Sequence, residues 1–181
     1  NREKLFQVLD ADETGLHFEN TLTQSTDFSV FDYMYFFNGG GVAVADFNND
    51  GLADIYLTAN QGKNKMFLNK GDFKFEDVTS KAGVEDAKGW TTGVTMIDIN
   101  NDGWMDIYVC KSASLKNNVL RKNKLYVNQK DGTFKDEAKQ YGLDDDGFSI
   151  QSYFFDYDND GDLDMYLINH RVDFLNSINL D

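Results

Sequence analysis

A chain of 181 residues, 41% hydrophobic and 14% aromatic, holds enough apolar material for one ordinary packed domain. No apolar run approaches the roughly 18 residues of a membrane-spanning helix. One cysteine excludes an intrachain disulfide and a cysteine-based zinc site, and scattered basic residues in a chain of net charge −14 disfavour nucleic-acid binding.

The chain opens at Asn1, so we expect a processed or trimmed product whose targeting segment lies outside the sequence. Residues 1–32 read as the end of a preceding sheet unit plus a connection, because Gly15-Leu-His-Phe-Glu-Asn20 resembles a later pattern, Phe73-Lys-Phe-Glu-Asp77. Tyr33-Met-Tyr-Phe-Phe37 is then an extra aromatic strand or a packed loop. The glycines Gly39-Gly40-Gly41 precede a strand and not a helix. They predict close backbone approach where strands converge, and not a phosphate cradle.

From there the chain repeats itself. The stretch Asp46-Phe-Asn48-Asn-Asp50-Gly51-Leu-Ala-Asp54 returns as Asp98-Ile-Asn100-Asn-Asp102-Gly103-Trp-Met-Asp106 and as Asp156-Tyr-Asp158-Asn-Asp160-Gly161-Asp-Leu-Asp164, at spacings of 52 and 58 residues. An apolar run precedes each copy (Gly41–Ala45, Gly93–Ile97, Tyr153–Phe155), and another follows it (Asp54–Thr58, Asp106–Cys110, Asp164–Ile168). A third segment (Asn64–Asn69, Asn123–Asn128) and a fourth (Phe73–Val78, Thr133–Ala138) occur twice. Short runs rich in β-branched and aromatic residues, bounded by Gly, Asn and Asp, predict strands.

Four strands per unit of about 50 residues is the spacing of a β-propeller blade. The expected fold is therefore all-β, with blades of four antiparallel strands joined by cation-binding hairpin loops. Blades are expected at 33–84 and 85–143, with a partial one at 144–181, so that the propeller is incomplete or a fragment of a longer chain. The strands after the loops should be apolar on both faces, with Ile55 and Leu57, Ile107 and Val109, Met165 and Leu167 on one side and Tyr56, Tyr108 and Tyr166 on the other.

Each loop places oxygen-bearing side chains at positions 1, 3, 5 and 9 and glycine at 6. A hard cation needs such a donor set, and Ca²⁺ takes six to eight oxygens in loose geometry. The predicted ligands are Asp46, Asn48, Asp50 and Asp54; Asp98, Asn100, Asp102 and Asp106; and Asp156, Asp158, Asp160 and Asp164, with the position 7 carbonyls of Leu52, Trp104 and Asp162. Mg²⁺ fits less well because it demands near-ideal octahedral geometry. An EF-hand is excluded, since its position 12 glutamate is replaced by Leu57, Val109 and Leu167 between strand-like flanks. The loops hold three, three and five aspartates, so three bound ions would bring the net charge to about −8. The third loop, with four ligand carboxylates, should bind most tightly.

The Asp-x-Asx-x-Asp-Gly-x-x-Asp loop between apolar strands resembles the FG-GAP/VCBS repeat, the calcium-binding blade of integrin α-chain propellers and bacterial surface proteins. Asn123-Lys-Leu-Tyr-Val-Asn128 and Asp131-Gly-Thr-Phe-Lys-Asp136 are similar to the cartilage acidic protein branch of that group. The resemblance covers roughly residues 15–170. It implies a propeller of typically seven blades at the cell surface or outside the cell, in some members lipid-anchored to a bacterial outer membrane, with roles in adhesion and in binding protein or carbohydrate. Gln151 departs from the pattern by standing where Gly41 and Gly93 stand.

The remaining residues bear less weight. Cys110 reads as a small buried hydrophobe, His17 as a strand-surface histidine, and Trp104 and Trp90 as core or as stacking surfaces for a sugar or partner. His170 ends a strand at a blade rim, and neither histidine accompanies a recognisable nucleophile. The expectation is a non-enzymatic, calcium-stabilised binding scaffold, its partner a protein or carbohydrate, or else the rest of a longer chain or a subunit that completes the propeller. The alternatives are a propeller-type hydrolase or lyase acting on extracellular polysaccharide, and a purely architectural subunit.

Overall fold

In the computed structural model, residues 5–171 are described. Ten strands form three antiparallel sheets. The first holds β1 (Val42–Ala45), β2 (Asp54–Leu57), β3 (Lys65–Asn69) and β4 (Phe75–Asp77) in chain order. The second repeats that order with β5 (Trp90–Ile97), β6 (Asp106–Ser112), β7 (Lys124–Asn128) and β8 (Phe134–Asp136). The third pairs β9 (Ser149–Phe155) with β10 (Asp164–Asn169). Residues 172–181 of the expected partial blade lie outside the described residues, as do residues 1–4. Register follows the aspartate loops: Ala45 faces Asp54, Ile97 faces Asp106 and Phe155 faces Asp164, so every loop closes the hairpin between the first two strands of its sheet.

The sheets stack face on face, as blades do. Tyr56 and Met66 of the first sheet pack with Val94, Ile107 and Val109 of the second. The opposite side of the second sheet, Tyr108, Cys110 and Leu125, packs with Phe154, Met165 and Leu167 of the third. Burial of each such side chain contributes about 1.5–3 kcal/mol. Cys110 sits fully inside this layer, and burial pushes its thiol up to about 12, as expected of an inert core residue. At the ends of the stack the pattern opens. Val42 and Val44 are exposed on one end, and Tyr153, Phe155 and Tyr166 on the other.

The repeated tyrosines also hold the connections. Tyr56 donates to the Val84 carbonyl (2.7 Å) and accepts from Asn64 Nδ2 (3.1 Å); Tyr108 donates to the Leu143 carbonyl (2.8 Å) and accepts from Asn123 Nδ2 (3.1 Å). The same asparagines accept the amides of Ala59 and Lys111, which explains why Asn opens both third segments. A buried ion pair, Lys111 Nζ to Asp86 Oδ2 at 2.6 Å, pins the connection between the first two sheets, and Lys111 Nζ also donates to the Lys88 carbonyl.

Two expectations for the N-terminal part change. Gly15–Asn20 forms no strand: it runs as irregular chain past the start of β4, with Gly15 against the Phe75 backbone. It forms no ladder with the outer edge of β4 that it passes, and a four-residue helix, α1 (Ala11–Thr14), precedes it. His17 is accordingly exposed and not on a strand. Of the two options for Tyr33–Phe37, the packed loop is observed: Tyr33 and Phe36 are buried with Trp90 and Ala113. The convergence expected of the glycine run is present, since a Cβ on Gly40 would collide with the Thr58 carbonyl.

Candidate metal centres

Each loop is built by its own side chains. At position 1, Asp46 accepts the amides of Asp50 (3.1 Å) and Gly51 (2.7 Å), and Asp98 accepts those of Asp102 (2.9 Å) and Gly103 (2.7 Å). Asp156 does the same with Asp160 and Gly161, both at 3.2 Å. At position 5, Asp50, Asp102 and Asp160 accept the position 7 amides of Leu52, Trp104 and Asp162. The chain turns back on itself through left-handed residues at positions 4 and 6, Asn49, Asn101 and Asn159 (φ 54 to 61°) followed two residues later by Gly51, Gly103 and Gly161 (φ 82 to 95°). Asparagine and glycine are the residue types that tolerate this backbone at least cost.

Position 9 joins the loop to the sheet. Asp54 accepts the amides of Phe47 (2.9 Å) and Asn69 (2.8 Å), and Asp106 those of Ile99 (3.0 Å) and Asn128 (2.8 Å). In the third loop Asp164 accepts the Tyr157 amide alone among the described residues, because no third strand stands beside it. Burial raises the Asp54 pKa against the pull of these amides, with Asp50 and Asp46 adding to the rise; Asp106 is pushed up to about 6 by burial, helped by Asp102 and Asp98. Carboxylates held close together and partly buried want a countercharge. A dication bound between them would supply it.

The loops differ in what faces their carboxylates. In the first, Asn48 Nδ2 donates to Asp50 Oδ2 (2.9 Å). In the second, Lys130 Nζ lies 3.1 Å from Asp102 Oδ2. Burial alone would raise Asp102, yet the Lys130 contact and the Trp104 amide hold it below the usual carboxylate value. In the third, Asp158 replaces the asparagine, and oxygens of Asp156, Asp158 and Asp164 lie within 4.8 Å of one another. Asp162 has a raised pKa through a hydrogen bond shared with Asp160 and through that neighbour's charge.

The repeat that these loops punctuate is a known one. The FG-GAP-like repeat matches residues 46–109 and 113–167. This chain belongs to that family. It is also similar to cartilage acidic protein 1 of Xenopus tropicalis, 41% identical over 69 residues, which make up 38% of this chain and 11% of that protein. The Homo sapiens protein of the same name is 38% identical over 69 residues, or 10% of its length, and the Mus musculus one 36% over 69 residues, or 11%. The matched stretch thus spans about a tenth of the length of these curated relatives.

Of the other residues singled out by sequence, Trp90 is buried and Trp104 half-buried. His170 meets Tyr33 and Ser112: its Nε2 is 2.6 Å from the Tyr33 hydroxyl and 3.0 Å from that of Ser112. Nothing in the local sequence announces that meeting, because its partners lie 137 and 58 residues away.

Proposed function

We propose that this chain is part of a calcium-stabilised propeller serving as a binding scaffold outside the cell or on its surface, with calcium structural and not catalytic. The observation that carries the reading is the aspartate loop repeated at one position of all three hairpins, together with the convergence of Asp156, Asp158 and Asp164 in the third. Asp46, Asn48, Asp50 and Asp54, with the Leu52 carbonyl, would hold one ion. Asp98, Asn100, Asp102 and Asp106, with Trp104, would hold the second, and Asp156, Asp158, Asp160 and Asp164, with Asp162, the third. A bound ion neutralises the clustered charge and so couples metal binding to folding of the hairpin. Extracellular calcium modules commonly bind at about 10⁻⁴–10⁻³ M, a range met outside the cytosol.

Likeness to cartilage acidic protein 1 supports a surface or secreted setting. The exposed apolar ends of the stack support a partner as well: a further repeat, from the rest of a longer chain or from another subunit, would cover Tyr166 as the third sheet covers Tyr108. Thermal unfolding tests the calcium reading. Saturating Ca²⁺ should raise the melting temperature by about 5 °C or more over chelator; an unchanged value sinks the structural-ion reading.

A further inference from the structure

Four features are not accounted for by the aspartate loops: the run Gly39-Gly40-Gly41, Trp90, His170, and Gln151 at a glycine position. The fold brings all four to one cavity of about 200 Å³, joined by Tyr35 and Asn38, at the ends of the sheets away from the aspartate loops. Departures from an otherwise consistent pattern that gather in one place point to function.

The walls are fixed. Trp90 is held by Phe28, Tyr33 and Phe36, with ring centroids 5.5, 5.7 and 5.1 Å away. The half-exposed Tyr35 ring lies 4.1 Å from the His170 imidazole at 31°, and His170 is anchored by the Tyr33 and Ser112 hydroxyls. Gln151 Nε2 is engaged with Thr95 Oγ1 (3.0 Å) and the Val94 carbonyl (3.3 Å), which leaves Oε1 as an acceptor over Gly93, where a Cβ would collide with it. The glycines bare the backbone along the rest of the floor.

The chemistry of this lining is selective. Among the described residues it contains no aspartate, glutamate, lysine or arginine, and burial lowers the His170 pKa, which favours the neutral imidazole. A charged guest would find no partner charge there. A quaternary ammonium has no hydrogen-bond donor and would leave the amide acceptor unmet. Aromatic edges beside amide groups suit a molecule with both C–H faces and hydroxyls. The volume is below the ~300 Å³ at which drug-sized pockets begin, so it admits one ring.

We propose that this cavity binds one uncharged sugar ring, with Tyr35 as the stacking wall and Gln151 Oε1 and the Asn38 amide as hydrogen-bonding partners for its hydroxyls. The proposal rests on the binding-scaffold reading and gives it a ligand class and a place. Calorimetric titration of the intact, calcium-saturated protein with neutral hexoses, their methyl glycosides and disaccharides, glucuronate and choline tests it. Neutral sugars should bind in the millimolar range, and Tyr35→Ala and Gln151→Gly should each weaken them about tenfold or more while a cooperative, calcium-dependent melting transition is retained. Glycosides binding better than free hexoses would identify the end of a glycan as the source; the reverse would identify the free sugar. Should Tyr35→Ala fold poorly, Gln151→Gly carries the test alone, since it restores the residue of the other two repeats. Glucuronate or choline binding as well as the neutral sugars, Gln151→Gly binding like the parent, or no heat from any neutral sugar at tens of millimolar would overturn the proposal. A calcium-dependent melting shift that survives those results leaves the scaffold reading standing, and its loss beside intact sugar binding removes only the calcium reading.

Discussion

The second and third repeats share one template and end in different states. In the second, Tyr108 is fully buried, its hydroxyl bonded to the Leu143 carbonyl, and Asp106 accepts two backbone amides. In the third, the equivalent Tyr166 is 62% exposed and Asp164 accepts one amide among the described residues. The side chains are the same; the neighbours differ. A repeat of this kind carries half of each interface, and its finished environment comes from the third strand beside it and the sheet stacked on it.

The comparison breaks most sharply at the tyrosines. Tyr108→Ala should cost about 3–5 kcal/mol in denaturant unfolding of the 181-residue chain, whereas Tyr166→Ala should stay within about 0.5 kcal/mol. Equal losses would mean that the outer face of the third sheet is covered. The loops give a smaller contrast. Asp158→Asn gives the third loop the donor set of the second and should weaken calcium there about tenfold, read by calorimetry as loss of the tightest site; an unchanged isotherm would refute the ranking. Lys130→Met acts in the opposite direction by removing the cation that sits on Asp102. It should tighten the second loop by a factor of about two to five, the worth of an exposed ion pair. Terbium luminescence sensitised by Trp104 in that loop provides the readout, and unaltered affinity would show that Lys130 swings clear at no cost.

Much of this could be read from residues alone, for a physical reason. Strand, loop and register all follow from local spacing: the aspartate loop marks a hairpin, and the alternation of Ile107, Tyr108 and Val109 marks a strand covered on both faces. Gly15–Asn20 misled because a strand pattern is only a disposition, and beside the outer edge of β4 this segment still forms no ladder. Asn64 and Asn123 were visible as a repeat, but their task of bracing a tyrosine and a strand end emerges only once the sheets are stacked. The cavity was the least legible, for its walls come from residues as distant as Tyr35 and His170.

The first two loops also touch. Asn49 Nδ2 donates to the Gly103 carbonyl (3.2 Å), and Asn128 Nδ2 reaches the Phe47 carbonyl (2.8 Å). Stiffening one hairpin therefore restrains the next, so occupancy of this pair should climb more steeply with ion concentration than independent sites allow, like a zip whose neighbouring teeth close together.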